Sequence, residues 1–183
     1  MVKVCGITRR EDAEAVLAAG ASAIGFVFYP KSPRYVTPEA AKELGAGLDI
    51  WKVGVFQDES ASVIEETIRA AHLDIAQIYG GGWPNVPRIW RAFRPGSPPH
   101  TGESVEAILL DGPANGITFD WKQAGGVSEK LILAGGLNPT NVAEAIRIAQ
   151  PWGVDASSGL ESAPGIKHHE KVRQFIRAAQ EAS

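Results

Sequence analysis

The stretch LILAGGLNPTNVAEAIRIAQPWGVDASSG, residues 131–159, decides the fold class. An apolar run at 131–136 ends in two glycines, an amphipathic stretch follows at 140–150, and a second apolar run comes at 153–157. Short apolar runs predict buried strands, and the helical spacing of apolar residues between them predicts a helix. Two strands joined in this way lie parallel, because parallel neighbours need a crossover connection. The stretch therefore predicts a strand–helix–strand unit of a parallel sheet.

The same alternation runs through the rest of the chain. Eight strands are predicted, at residues 2–7, 23–29, 51–57, 74–79, 88–94, 107–111, 131–136 and 153–157. Helices are predicted at 10–19, 38–48, 60–72, 140–150 and 166–181, with N-caps at Thr37, before Pro38, and at Ser60. Eight strands favour an α/β fold of the (βα)8 TIM-barrel type, formed by one domain over residues 1–183. An open doubly wound sheet is the alternative, although no Gly-rich dinucleotide-binding motif follows the first strand.

The middle of the chain departs from this alternation. Only GGGWPNVP lies between the fourth and fifth strands, and only PGSPPHTGESVE between the fifth and sixth. Neither segment holds a normal crossover helix, so the fourth and fifth helices are expected to be shortened or missing. Strands four and five carry Ile75, Ile78, Ile89 and Phe93, and we expect segments with Trp83 and Trp90 to cover their outward side chains. This favours a monomer, with a homodimer as the alternative.

Composition excludes several classes of protein. Charged residues make up 21% and the net charge is −3, which gives no footprint for nucleic acid or an anionic membrane. No window reaches the ~18 apolar residues of a membrane span, and charges at Lys3, Arg9 and Arg10 interrupt any signal peptide. The single cysteine excludes an internal disulfide, and the four histidines lack zinc-site spacing. We expect a cytoplasmic protein with no nucleic-acid or membrane partner.

Polar residues collect where the predicted strands end. In barrel enzymes the chemistry lies at these carboxyl ends and in the loops that follow. Each residue also has an ordinary structural interpretation: a lone cysteine packs as a small hydrophobe, and an aspartate before glycine forms turns. The candidates, taken in strand order, are Cys5, Arg34, Gln57, Tyr79, Arg94, Asp111, Gly135, Gly136, Asp155, Ser157, Ser158 and Gly159.

The last two strand ends together predict a phosphate site. Gly135 and Gly136 follow strand seven, and Ser157, Ser158 and Gly159 follow strand eight. Barrel phosphate sites are often built from these two loops, because glycines let backbone N–H groups approach the phosphate and serines add hydroxyl donors. Ordinary turns remain the alternative. We expect a small phosphorylated substrate.

Several motifs of the chain resemble those of the phosphoribosylanthranilate isomerase family of tryptophan biosynthesis. The matches occur in the family's order and span residues 3 to about 176. They are KVCGIT at 3–8, GFVFYPKSPRYV at 25–36, VGVF at 53–56, ILLDG at 108–112, TFDW at 118–121, LAGGLNPTNVAEAI at 133–146 and GVDASSGLESAPGIK at 153–167.

The resemblance implies an Amadori rearrangement of N-(5'-phosphoribosyl)anthranilate to 1-(2-carboxyphenylamino)-1-deoxyribulose 5-phosphate. Only protons move, so no cofactor or metal is expected. By the same resemblance Cys5 is the general base and Asp111 the general acid. Arg34 binds the anthranilate carboxylate and Asp155 bonds the sugar or the intermediate. The phosphate is bound by Gly135, Gly136, Ser157, Ser158 and Gly159.

The chain also departs from the family pattern. Tyr79 stands where a histidine is expected at the end of strand four, Ile117 follows Gly116 where a lysine is usual, and His168 stands where an aspartate is expected. Two alternative functions remain open. A related barrel isomerase of histidine biosynthesis, or a bifunctional enzyme serving both pathways, would act on a substrate with two phosphates and use paired aspartates. Cys5 in place of an aspartate and a single plausible phosphate site argue against this. A barrel without catalysis, acting as a binding protein, is the other.

Overall fold

The computed structural model describes residues 1–96, 105–113, 119–124 and 128–182, and these form a closed barrel of eight parallel strands in chain order. The barrel closes where Val2 and Lys3 of the first strand pair with Val154 and Asp155 of the last. This closure confirms the (βα)8 fold and excludes the open sheet. The strands are β1 Val2–Cys5, β2 Ala23–Val27, β3 Trp51–Phe56, β4 Ile75–Ile78, β5 Ile89–Phe93, β6 Val105–Leu110, β7 Leu131–Leu133 and β8 Gly153–Ala156.

Five α-helices lie among the described residues: α1 Arg10–Ala18, α2 Pro38–Gly45, α3 Ala61–Ala70, α4 Val142–Ala149 and α5 His169–Ala182. None of them is long and apolar enough to cross a membrane. Thr37 caps α2 as predicted, because its hydroxyl accepts a hydrogen bond from the Ala40 N–H at 3.2 Å. Ser60 precedes α3, but its side chain makes no cap and lies 3.1 Å from the hydroxyl of Ser62 instead.

The shortened middle is confirmed between β4 and β5, where the fully described connection contains no helix. A 3-10 turn at Trp121–Ala124 follows β6. Residues 97–104, between β5 and β6, lie outside the described residues, as do Gly116 and Ile117.

The predicted start of the last helix at residue 166 is wrong. Residues Glu161–Ala163 and Ile166–Lys167 pair as a short antiparallel hairpin, β9 and β10, and Gly165 turns the chain between them at φ +80°. Helix α5 begins only at His169. The carboxylate of Asp12 anchors this junction, since it accepts from the Lys167 N–H at 3.1 Å and lies 2.8 Å from His169 Nε2.

Aromatic side chains close the amino-terminal end of the barrel. Trp90 is fully buried, with edge-on contacts to Trp51 and Trp152 at centroid distances of 6.5 and 6.2 Å. Ile75 packs in the same interior cluster. The expectation that Trp90 covers outward side chains was therefore wrong, because strand alternation turns it into the barrel. The open space of the barrel lies at the carboxyl ends of the strands.

The outward side chains of β4 and β5 are covered within the single chain. Ile78 and Ile89 are 0% and 1% exposed, and Phe93 is half-buried. The guanidinium carbon of Arg91 lies 5.2 Å from the centroid of the Trp83 ring, so the loop after β4 folds back over this face.

Candidate active site

A cavity of about 420 Å³ opens at the carboxyl ends of the barrel strands. All nine residues expected to form the site line it: Cys5, Arg34, Asp111, Gly135, Gly136, Asp155, Ser157, Ser158 and Gly159. All eight strands or their following loops contribute to the lining, and the further lining residues include Gln57, Gln77, Tyr79 and Arg94. The fold thus brings together residues that lie up to 154 positions apart in the sequence.

Cys5 is the last residue of β1 and points into the barrel. The chain turns directly after it, because Gly6 has φ +75° and the N–H groups of Gly6 and Ile7 both donate to the Gly25 carbonyl at 2.9 Å. The thiol packs against the backbone of Gly25, where a Cβ would lie only 2.8 Å from Sγ. Burial raises the pKa of the Cys5 thiol, and the neighbouring Lys3 ammonium opposes that rise.

Asp111 follows β6 and faces the cavity from another side of the barrel. Its Oδ2 accepts a hydrogen bond from the Tyr79 hydroxyl at 2.9 Å. Burial raises the pKa of the Asp111 carboxyl, and the bond from Tyr79 opposes this by favouring the ionised form. A raised pKa suits a carboxyl group that has to donate a proton. Tyr79, the departure at the end of β4, therefore contacts the proposed acid directly.

Asp155 is buried on β8 and bonded on one side only. Its Oδ2 accepts from Lys3 Nζ at 2.7 Å. Its Oδ1 has no hydrogen-bond partner among the described residues. Because an unpaired buried acceptor is costly, this oxygen is suited to accept a hydrogen bond from a ligand hydroxyl.

Arg34 is paired with a carboxylate of the chain itself, a contact that the sequence did not predict. Its Nε and Nη2 donate to the two carboxylate oxygens of Glu161 at 2.8 and 2.6 Å. Lys167 Nζ donates to the same carboxylate at 2.8 Å and to the Ser157 carbonyl at 3.3 Å. Burial works against ionisation of Glu161, but the two cations outweigh it and lower the pKa of this carboxyl.

Glu161 leaves one edge of Arg34 available. A guanidinium has five N–H donors, arranged in two edges that can each grip a carboxylate. Glu161 occupies the Nε–Nη2 edge. Sequence reasoning missed Glu161 and Lys167 although both lie inside a quoted motif, because nothing local indicates a partner 127 residues away.

The loops after β6, β7 and β8 meet closely at one side of the cavity. Gly135 has φ +85°, and a Cβ there would lie 2.1 Å from the Gly112 nitrogen. A Cβ at Gly159 would lie 2.2 Å from the Leu137 carbonyl oxygen. Asn141 fixes the β7 loop by donating from Nδ2 to the Gly136 carbonyl at 3.0 Å. Side chains at these glycines would not fit, so the backbone itself lines the cavity.

The described residues offer no cluster of side chains for a metal ion. Within the described ranges, no three His, Cys, Asp or Glu side chains lie close enough together to hold a metal ion.

Gln77 in the middle of β4 is buried, and its Oε1 has no partner in the part of the chain that the structure describes. A glutamine in the middle of a strand gives no sequence signal of a functional site, so the sequence did not predict Gln77 as a site residue.

Comparison with known proteins identifies close relatives over the whole chain. The family model of N-(5'-phosphoribosyl)anthranilate (PRA) isomerase matches residues 2–178. The N-(5'-phosphoribosyl)anthranilate isomerase of Solibacter usitatus is 46% identical over 200 aligned positions, covering 100% of this chain and 98% of the relative. Because the alignment is longer than 183 residues, the relative carries segments that this chain lacks.

Solved structures of the same family match the fold of this chain over nearly its whole length. Monomers of dimeric phosphoribosylanthranilate isomerase from Thermotoga maritima match with a TM-score of 0.85 at 35% identity, covering 98% of both chains. A phosphoribosylanthranilate isomerase in complex with reduced 1-(o-carboxyphenylamino)-1-deoxyribulose 5-phosphate matches with a TM-score of 0.85 at 34% identity, again covering 98% of both chains.

Proposed function

Because the chain belongs to the N-(5'-phosphoribosyl)anthranilate isomerase family, we propose that its cavity carries out the Amadori rearrangement of that substrate with Cys5 as base and Asp111 as acid. One observation carries the assignment of roles: a thiol on β1 and a carboxyl after β6 face the same cavity from different strands. Proton removal and proton donation at opposite sides of a sugar need two such groups.

The reaction begins at the furanose ring oxygen. Asp111 donates a proton to this oxygen, the bond between it and C1 breaks, and a protonated imine forms between C1 and the anthranilate nitrogen. The Cys5 thiolate then removes the proton from C2, and its electron pair forms the C1–C2 double bond of an enolamine. Protonation at C1 and loss of the hydroxyl proton at C2 give the ketone. Asp155 Oδ1, without a partner among the described residues, accepts the hydrogen bond of a sugar hydroxyl.

Anion binding takes place away from the reacting carbons. The edge of Arg34 that Glu161 does not occupy accepts the anthranilate carboxylate, while Glu161 holds the other edge in place. The phosphate lies at the loops after β7 and β8, where Gly135, Gly136 and Gly159 leave the backbone bare and Ser157 and Ser158 add hydroxyls.

Binding of a reduced product tests this site directly. Reduced 1-(2-carboxyphenylamino)-1-deoxyribulose 5-phosphate carries both anions and should bind one molecule per chain in calorimetry. Inorganic phosphate and anthranilate, added together, should compete with it. Absence of binding, or binding that neither anion displaces, would contradict the proposed site.

Replacing Arg34 by alanine should mainly raise KM, because its contact with the carboxylate exists in ground and transition states alike. Arg34→Lys should recover only part of the loss, since an ammonium cannot grip a carboxylate with two parallel bonds. Steady-state kinetics on the synthetic substrate measures both effects.

Arg88 supplies the matched control for Arg34. It makes an equivalent two-bond pair with Glu106, at 2.7 and 2.9 Å, at the other end of the barrel. Arg88→Ala should leave KM unchanged. If Arg34→Ala also left KM and kcat unchanged, Arg34 would not belong to the site.

We further propose that the chain is a monomer. The outward Ile78 and Ile89 are already buried within one chain, so no partner is needed to cover them. Light scattering at micromolar concentration should give the mass of one chain. A dimeric mass would contradict this.

A cytoplasmic location suits the proposed mechanism. Cys5 is the only cysteine and is a free thiol, and a base must stay reduced to act as a thiolate. Reducing compartments keep thiols in that state.

A further inference from the structure

Lys3 is a fully buried lysine inside the barrel, directly below the cavity. It lies two residues before Cys5 on β1, so both side chains point inward. Its register partner on β8 is Asp155, and its Nζ lies 2.7 Å from Asp155 Oδ2. The mechanism described above gives this ammonium no role.

Lys3 also lies next to the Cys5 thiol. A Cβ built on Gly25 would lie 2.8 Å from Cys5 Sγ and 3.1 Å from Lys3 Cε, so both side chains crowd the same bare backbone of β2. The absence of a side chain at Gly25 allows the lysine stem and the sulfur to share this space. The buried ammonium therefore has two acidic neighbours, a carboxyl and a thiol.

A buried charge needs a reason, because replacing a buried ion pair by apolar side chains is often neutral or even stabilising. Burial works against the charged form of Lys3, but Asp155 and Cys5 outweigh it, and the pKa of Lys3 is raised. The ammonium is therefore a fixed positive charge at the site. It favours the ionised forms of both of its neighbours.

The charges around Cys5 come from several elements. Lys3 on the same strand favours the thiolate most strongly, Asp155 on β8 disfavours it, and Lys167 on β10 favours it. Arg34 in the loop after β2 and Tyr79 after β4 also interact with the thiol, and Asp111 faces the cavity from β6.

We propose that Lys3 is a positioning residue for the isomerisation: its buried ammonium pairs with Asp155 and serves as the counter-ion that lets Cys5 react as a thiolate. The inference rests on the proposed role of Cys5 as the base. Lys3 acts through Cys5 and Asp155 rather than on the substrate itself. It acts by setting how much of Cys5 is ionised and by keeping Asp155 an acceptor.

The single cysteine makes the inference measurable without turnover, since any thiolate absorbance in the ultraviolet comes from Cys5. In Lys3→Met, which keeps length and removes charge, the thiol pKa should rise by about 1–3 units. In Asp155→Asn, which removes the opposing charge, the thiol pKa should fall. The opposite signs separate an electrostatic role from a packing role, and the second variant keeps the test valid if the first does not fold.

The rate of turnover should depend on how much of the Cys5 thiol is ionised. At pH 7 the kcat of Lys3→Met should be about tenfold lower for each unit by which the thiol pKa rises, and the deficit should shrink as the pH rises through that pKa. Lys3→Arg, which keeps a charge, should retain more activity than Lys3→Met.

Lys52→Met is the matched control, because Lys52 lies on β3 and its Nζ donates to the backbone carbonyls of Leu48 and Ile50 at 2.9 and 3.1 Å. It should leave the thiol pKa unchanged. If neither Lys3→Met nor Asp155→Asn moved the thiol pKa relative to this control, the inference would be overturned. A shifted thiol pKa with unchanged turnover would instead support the electrostatic role of Lys3 and contradict Cys5 as the base.

Discussion

Replacing Cys5 by serine is expected to lower kcat by about 10²–10⁴-fold, the usual contribution of a positioned proton-transfer group. The change removes little volume, and oxygen fits where sulfur now packs against Gly25. Chemically it is severe, because a serine hydroxyl is a far weaker acid than a thiol and its alkoxide is scarcely populated at neutral pH. The nearly isosteric variant should therefore be almost as impaired as Cys5→Ala.

Substrate affinity provides the control for Cys5. The carboxylate and phosphate are bound elsewhere in the cavity, so KM and the affinity for the reduced product should change little in Cys5→Ser. If this variant kept more than about a tenth of the wild-type kcat with chemistry rate-limiting, Cys5 would not be the base. Asp155, whose Oδ1 has no hydrogen-bond partner among the described residues, would be the next candidate.

Replacing Asp111 by asparagine should be similarly damaging, again about 10²–10⁴-fold in kcat. Asparagine keeps the shape and a hydrogen-bond donor, but it cannot deliver a proton to the ring oxygen. Tyr79→Phe is the matched control, because it removes the 2.9 Å bond to Asp111 and leaves the carboxyl in place. Its loss should be much smaller than that of Asp111→Asn. Equal losses of kcat in the two variants would mean that catalysis depends on the hydrogen bond between Tyr79 and Asp111 rather than on proton donation by Asp111.

The pH profile gives Asp111 a second signature. Burial raises the pKa of both Asp111 and Cys5, whereas the reactive form has Asp111 protonated and Cys5 ionised. For the wild-type enzyme kcat/KM should follow a bell whose two macroscopic pKa values belong to the pair. In Asp111→Asn only the thiol of this pair titrates, so the residual kcat/KM should rise with pH through the thiol pKa and then stay level. A descending limb that persists in this variant would assign that limb to another group.

The sequence predicted the barrel well because the relevant signals are local. Apolar runs, their glycine ends and the helical spacing between them mark each strand–helix unit, and GGGWPNVP is too short to hide another helix. The error at residue 166 has a physical cause. An apolar residue every third or fourth position suits a helix, but Gly165 at φ +80° allows a hairpin that pairs Ile166 with Ala163. Strand pairing of this kind cannot be recognised from the periodicity of apolar residues in the sequence.

The site was predictable as a set of residues but not as a set of bonds. Cys5, Asp111 and Asp155 could be placed at strand ends, and the fold collects them in one cavity. The pairing of Lys3 with Asp155 joins residues 152 positions apart, and that of Arg34 with Glu161 joins residues 127 positions apart. Such partners depend on barrel closure and on which edge of a side chain turns inward. The sequence pattern contains neither, so Glu161 was not predicted as the partner of Arg34 and Lys3 was given no role.

Turnover of synthetic N-(5'-phosphoribosyl)anthranilate by the purified chain is the most direct measurement of the central claim. It should be run with and without a chelator, with the product identified by mass and chromatography. We predict conversion to 1-(2-carboxyphenylamino)-1-deoxyribulose 5-phosphate at the same rate in both arms, far above the rate without enzyme. No conversion above the uncatalysed rate in either arm would contradict the assignment of this chain as an isomerase.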